Sequence, residues 1–206
     1  MRKLLVTAFI LVVASGQSRA DFLRTYELTT VASGTLGGIP FTNAALDLRS
    51  VADTNNIQRG NALGTDYYYV TNNQLTVTVA GIGTATFTDV TRTTTYPFTQ
   101  AGFEDVGVEF VLLTFNPIFG PYDLRSDIGP ASGRSFSSAG RVYPTTLGPL
   151  IFSAPVGNSS FQSVPEPSTL ILSGCGVIIC GTAAYVRSRR QRRRLTVSDM
   201  GPAGTM

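Results

Sequence analysis

The side chains in this sequence that could do chemistry are carboxylates and tyrosines, because the chain contains no histidine. Without histidine, the Ser-His-Asp and Cys-His arrangements of nucleophilic catalysis and the usual zinc sites are excluded. Cys175 and Cys180 both lie in a late apolar segment, so residues 21–164 offer no thiol nucleophile. No nucleophile elbow or phosphate-binding glycine loop is present. The sequence therefore predicts no catalytic residue, no metal and no cofactor, and a protein that is not an enzyme.

Two groups of carboxylates are close in sequence: Glu104, Asp105 and Glu109 form one, and Asp123 and Asp127 form the other. A glycosidase needs two carboxylates held at a set separation across the scissile bond, which spacing in sequence does not establish. We expect these residues to lie on a solvated loop and a strand edge. An acid-type glycosidase is therefore the least favoured interpretation.

Oxygen ligands for calcium could come from Asp53, Asn55 and Asn56, or from the second carboxylate group. Neither set has the spacing of a complete calcium-binding loop. We therefore expect no bound metal.

Three consecutive tyrosines occupy positions 67 to 69. Successive side chains on a strand point to opposite faces, so Tyr67 and Tyr69 should share one face and Tyr68 should lie on the other. We expect these rings to pack within the fold. An exposed tyrosine surface that binds sugars is the alternative.

The elements that position these residues have the patterns of β-strands. Residues 75–79 and 85–90 alternate apolar and threonine residues, and a short glycine-containing loop joins them, as in a hairpin. Residues 106–115 are the most apolar run and predict a central strand covered on both faces. Residues 129–140 are rich in glycine and serine and predict a long loop. The pattern predicts an all-β fold, a single β-sandwich of Greek-key or jelly-roll type over residues 21–157.

Charge is unevenly distributed along the chain. Residues 21–164 contain seven arginines and eleven acidic residues, so this part is mildly acidic although the whole chain is basic. A nucleic-acid-binding domain would carry the basic residues on its own surface, so we expect no nucleic-acid partner.

The first twenty residues have the features of a secretory signal peptide. Arg2 and Lys3 precede an apolar run over residues 4–14, and Ser18 and Ala20 are small residues in the positions that a signal peptidase reads. We expect cleavage after Ala20, with residues 14–16 as the second option. An uncleaved anchor is the other alternative.

Three features follow one another late in the chain. Pro165, Glu166 and Pro167 come after a polar segment that predicts a linker, so that residues 158–167 comprise linker and motif. Residues 168–186 carry no charge, and 19 helical residues span about 28 Å, close to the thickness of the bilayer core. Arginines then occur within residues 187–206 and predict a cytoplasmic tail that holds the helix in the membrane. They are Arg187, Arg189, Arg190, Arg192, Arg193 and Arg194.

The order of motif, apolar segment and arginines resembles the PEP-CTERM sorting signal. Pro165, Glu166 and Pro167 match its name-giving motif, and the resemblance covers residues 164–194. It implies recognition and processing by exosortase, a membrane transpeptidase, in a bacterium that makes extracellular polysaccharide. The family tails usually end soon after the arginines, whereas this chain continues for twelve more residues. A tail anchor with an accidental motif is the alternative.

These observations predict an exported protein that the C-terminal helix anchors in the membrane before processing, and that then resides at the cell surface or outside the cell. We expect a structural role in the extracellular matrix. A module that binds extracellular polysaccharide is the alternative function.

Overall fold

The computed structural model describes residues 22–62, 64–153 and 156–165. These residues form thirteen β-strands and contain no α-helix, so the all-β prediction is confirmed. Short 3-10 turns lie at Thr54–Asn56 and Pro117–Phe119. The strands are β1 (Leu23–Leu36), β2 (Ile39–Asp53), β3 (Gln58–Ala62), β4 (Thr65–Thr71), β5 (Gln74–Val79), β6 (Gly83–Thr86), β7 (Thr91–Tyr96), β8 (Gln100–Asp105), β9 (Glu109–Phe115), β10 (Ile128–Phe136), β11 (Val142–Tyr143), β12 (Leu150–Phe152) and β13 (Asn158–Pro165).

The strands form one antiparallel sheet. Its strand order is β3-β4-β7-β8-β9-β10-β13-β1-β2-β5-β6, and β12, with β11 beside it, pairs with the far end of β1. The chain crosses from one edge region of the sheet to the other more than once. Strand β2, near the β6 edge, leads to β3 at the opposite edge, and β4 beside β3 leads back to β5. Strands far apart in sequence are therefore neighbours in the sheet.

The local hairpins follow the sequence pattern. Gly37 and Gly38 connect β1 to β2 with positive φ angles of 60° and 82°, a conformation that glycine adopts without strain. The predicted hairpin of alternating threonines is formed by β5 and β6. The predicted central strand is β9, which begins at Glu109 rather than at residue 106, and its residues 111 to 114 are buried on both faces.

A single hydrophobic core is built from strands across the whole sheet. Leu28 and Leu48 come from β1 and β2, Phe103 and Leu112 from β8 and β9, and Phe161 from β13, and all are fully buried in one cluster. Strands β2 and β4 are in contact although six strands separate them along the sheet. The sheet therefore curves so that its inner face encloses the core.

The polar segment after residue 157 forms a strand and not a linker. Strand β13 pairs with β10 on one side and with β1 on the other. Its alternate residues Ser159, Phe161 and Ser163 are buried. The prediction of a linker was wrong because it relied on small polar residues, whereas two neighbouring strands satisfy the backbone of this segment and Phe161 fills the core.

The prediction of a long loop over residues 129–140 was wrong for residues 129–136, which belong to a strand, whereas residues 137–140 lie outside it. Residues 128 to 136 form strand β10, with backbone pairing to β9 and β13. Glycine suits this position because a Cβ at Gly133 would lie 1.8 Å from the Phe115 carbonyl oxygen. The close approach of two strands requires the missing side chain here.

Candidate functional site

A row of five aromatic rings crosses the part of the sheet that runs from β3 to β10. Tyr67 stacks on Tyr69 with 5.8 Å between ring centroids, and on Tyr96 with 5.2 Å and nearly parallel planes. Phe110 meets Tyr96 edge-on at 4.8 Å, and Phe136 lies 6.1 Å from Phe110. We call these five residues the aromatic row.

The pairing of strands assembles this row. Tyr67 and Tyr69 share a face of β4, as predicted, while Tyr68 packs against the core from the other face. Strand β7 pairs with β4 and brings Tyr96 beside them. On the edge strand, the ring of Tyr67 lies across Gly60, where a Cβ would come within 2.4 Å of the ring. Gly60 thus leaves room for the ring.

The rings of the row are half-buried, except Phe136, which is 44% exposed. Centroid separations of 5.2 and 5.8 Å exceed the contact distance of about 3.5–4.0 Å between carbon atoms. The stacked rings are therefore offset, and each leaves part of its face uncovered by its neighbour. The row is a mixed surface of ring faces, ring edges and hydroxyl groups.

Polar groups accompany the row. The guanidinium of Arg92 lies 4.6 Å from the centroid of the Tyr69 ring, and the Tyr69 hydroxyl donates to the Gln58 side-chain oxygen at 2.6 Å. Glu104 lies opposite Arg92 across β7 and β8. Burial raises the pKa of the Glu104 carboxyl above its ordinary value, while the positive charge of Arg92 acts in the opposite direction. Burial, and then the nearby Glu104, raises the pKa of the Tyr96 hydroxyl above its ordinary value.

The turn between β7 and β8 displays a further aromatic side chain. Phe98 is 67% exposed and has a φ of 79°, and Thr99 beside it has a φ of 67°. A left-handed backbone costs a non-glycine residue about 1–2 kcal/mol. The fold therefore holds an exposed phenylalanine in a strained turn two residues after Tyr96.

The structure does not bring the carboxylates of Glu104, Asp105 and Glu109 together in one site. Glu104 lies beside the aromatic row, whereas Asp105 is 1% exposed and accepts a hydrogen bond from the Gly107 amide at 3.0 Å. Burial raises the pKa of Asp105 above its ordinary value. Glu109 is exposed, accepts from Ser138 and pairs with Arg141 at 3.2 Å. The three carboxylates thus have separate structural partners.

The other three candidate acidic residues also have separate partners. Asp123 accepts from the Arg125 amide at 3.0 Å, Asp127 pairs with Arg24, and Asp53 accepts from the Asn55 amide at 2.9 Å. Within residues 22–62, 64–153 and 156–165, no three potential ligands among histidine, cysteine, aspartate and glutamate gather as for a metal ion.

A cavity of about 420 Å³ lies away from the aromatic row, beside β2 and the start of β5. Its lining residues are Arg49, Ser50, Val51, Asn73, Gln74 and Thr76. None of these is a carboxylate, so this cavity does not hold the pair of acids that a glycosidase requires.

Of the predicted sorting residues, the structure describes Pro165. It is the last residue of β13 and lies opposite Arg24 of β1. Ala20, Glu166, Pro167, the apolar segment 168–186 and the arginines Arg187, Arg189, Arg190, Arg192, Arg193 and Arg194 lie outside the described residues. Within the part that the structure describes, no helix is both long and apolar enough to cross a membrane.

Comparison with known proteins gives no match: no family model, no curated protein and no solved structure resembles the chain.

Proposed function

We propose that this chain is an exported, non-enzymatic surface or extracellular-matrix protein with a PEP-CTERM sorting signal that exosortase recognises and processes. The observation that carries the proposal is the order of Pro165-Glu166-Pro167, an uncharged segment over residues 168–186, and six arginines. Arginines stay on the cytoplasmic side, so the motif would lie at the outer surface of the membrane.

The positions of the first and last strands support this proposal. Strand β1 begins at Leu23, three residues after the expected cleavage at Ala20, and β13 continues to Pro165. The folded domain therefore extends from close to the expected cleavage site to the first residue of the motif. Within it, we propose that the curved sheet forms a two-layer β-sandwich of Greek-key or jelly-roll type, supported by the single core to which strands across the sheet contribute.

A structural role is supported by how the acidic residues are used. Glu104, Asp105 and Glu109 have different neighbours, and the cavity beside β2 lacks a carboxylate. Purified protein that hydrolyses a polysaccharide, with activity lost on Glu104→Ala, would overturn this part of the proposal.

The sorting proposal is tested by immunoblot in a host that has its own exosortase. We expect Glu166→Ala to leave membrane insertion intact and to block trimming, because the apolar segment 168–186 is unchanged while a recognition group is lost. Replacing the six arginines with serine should instead disturb retention and orientation, since their charge no longer holds the tail inside. If the Glu166→Ala variant is trimmed to the wild-type extent, the tail is a membrane anchor and not a sorting signal.

The aromatic row favours a second candidate function, binding of an extracellular polysaccharide. Tyrosine rings and hydroxyls, with Arg92, Glu104 and Gln58 beside them, offer apolar faces and hydrogen-bonding groups together. Because Arg92 and Glu104 are opposite in charge, this part of the face suits an uncharged polymer.

Affinity electrophoresis in gels containing the host's polysaccharide tests this second candidate. We expect the polymer to retard the protein, and Tyr96→Ala to abolish most of the retardation because Tyr96 joins the tyrosine stack to Phe110. Val31→Ala, a change at a 52%-exposed residue of β1, is the control. Equal retardation of both variants would show that the aromatic row does not bind the polysaccharide.

A further inference from the structure

The two ends of the folded domain lie side by side. Strands β1 and β13 are antiparallel neighbours, and their register places Arg24 opposite Pro165 and Thr25 opposite Val164. Leu23 is therefore a diagonal neighbour of Val164 on the same face of the sheet. The domain begins and ends at one end of the sheet.

Apolar side chains are exposed at this end. Phe22 is 41% exposed, Leu23 36% and Val164 40%. We call these three residues the terminal apolar patch. A single exposed apolar residue is ordinary on a protein surface, but these three lie where the chain enters and leaves the domain.

The end of the domain that carries this patch is firmly held. Arg24 is 8% exposed and donates to the Arg125 carbonyl oxygen at 2.7 Å and to the Ser163 hydroxyl at 3.2 Å, and it also pairs with Asp127. Arg125 is in turn paired with Asp123 at 3.6 Å. The charges of these two arginines and two aspartates balance one another.

Chain length limits how far this end can lie from the apolar segment that follows. Pro165 lies three positions before Ser168, and extended chain covers at most about 10 Å over three positions. The headgroup layer of a bilayer is about 5–8 Å thick on each side of the hydrocarbon core. If residues 168–186 span the membrane, Pro165 must lie in or just above the headgroups.

We propose that the terminal apolar patch contacts the lipid surface and seats the folded domain on the outer face of the membrane until processing. This inference rests on the proposed sorting function. Moving phenylalanine and aliphatic side chains from water into the membrane–water interface is favourable, as in helices that lie on a membrane. Three side chains are far fewer than the roughly 20–30 residues a side of a specific protein interface, so lipid is a better occupant than a second protein.

The test uses fluorescence, because the chain contains no tryptophan and one introduced residue reports alone. The full-length chain is reconstituted into uncharged phosphatidylcholine vesicles as Leu23→Trp, as Val164→Trp, or as the control Ile39→Trp. Ile39 is 56% exposed and pairs with Leu36 at the other end of the 14-residue strand β1, which is about 45 Å long. Lipids brominated near the headgroup serve as quenchers.

We expect brominated lipid to reduce the tryptophan emission of Leu23→Trp and Val164→Trp by about twofold or more, because these side chains would lie in the membrane interface. The emission of Ile39→Trp should not change, because this side chain would lie in water. Equal, weak quenching of all three variants in chains that float with the vesicles would overturn the lipid contact while leaving the membrane anchor intact. A blue shift without quenching would indicate a protein occupant and would also overturn it. Chains that fail to float would overturn the anchor and this inference together.

Discussion

Replacing Phe161 with alanine tests whether the last strand is part of the core. Phe161 is fully buried, and its ring contacts those of Tyr26, Phe103, Phe119 and Tyr122 at centroid distances of 5.6–6.4 Å. Truncating a buried phenylalanine typically costs about 3–5 kcal/mol, from lost burial and from the cavity that remains. The free energy of unfolding of a whole domain is about 5–15 kcal/mol. We therefore expect Phe161→Ala to remove a large part of it.

Equilibrium unfolding in urea of residues 21–166, followed by circular dichroism, measures this loss. This segment corresponds to one of the two units into which the chain divides. Val164→Ala is the control, because Val164 is on the same strand but 40% exposed, and it should cost less than about 1 kcal/mol. A loss below about 1 kcal/mol for Phe161→Ala would refute the reasoning, since residues 158–165 would then behave as the linker that their composition suggests.

Three further changes probe the backbone and the buried charge. Phe98→Gly should raise the free energy of unfolding by up to about 1 kcal/mol, because glycine relieves the left-handed strain but loses more chain entropy on folding. Urea unfolding measures the change, and a clear decrease in the free energy of unfolding would contradict this prediction. Gly34→Ala should lower the melting temperature because its Cβ would lie 2.1 Å from the Ile151 carbonyl oxygen, whereas Gly129→Ala, in open space without positive φ, should change it little; equal melting temperatures would count against the pairing of β1 and β12. Burial raises the pKa of Asp105, so the folded state binds its proton more readily, and stability should fall as pH rises from the ordinary carboxyl pKa of about 3.9 through the raised value. Asp105→Asn should remove that contribution, and an unchanged pH profile of unfolding would disprove it.

Sequence pattern predicted the strands that either alternate in polarity or are continuously apolar. The hairpin of β5 and β6 alternates apolar and threonine residues, and β9 is a continuous apolar run, so both were found without knowledge of their neighbours. Strands β3, β10 and β13 lack such a pattern because they are polar or rich in glycine and serine. Their structure depends on backbone pairing with strands that are distant in sequence. In the sequence, Phe161 is the one aromatic residue of this segment and is the signal that could have revealed β13.

The candidate site was predictable only within one strand. The rule of alternation placed Tyr67 and Tyr69 on one face and Tyr68 on the other, and the structure confirms it. Tyr96 and Phe110 were missed as partners, because a single sequence does not show that β4 pairs with β7. Adjacent acidic residues were grouped by sequence, although alternation along β8 separates Glu104 from Asp105.

The intact mass of the protein recovered from the cell surface or the medium of its host tests the central claim most directly. The proposed export and sorting predict a chain that begins at Asp21 and ends close to the Pro165-Glu166-Pro167 motif, with residues 168–206 removed. A recovered chain that still carries residues 168–206, or that begins at Met1, would contradict this account.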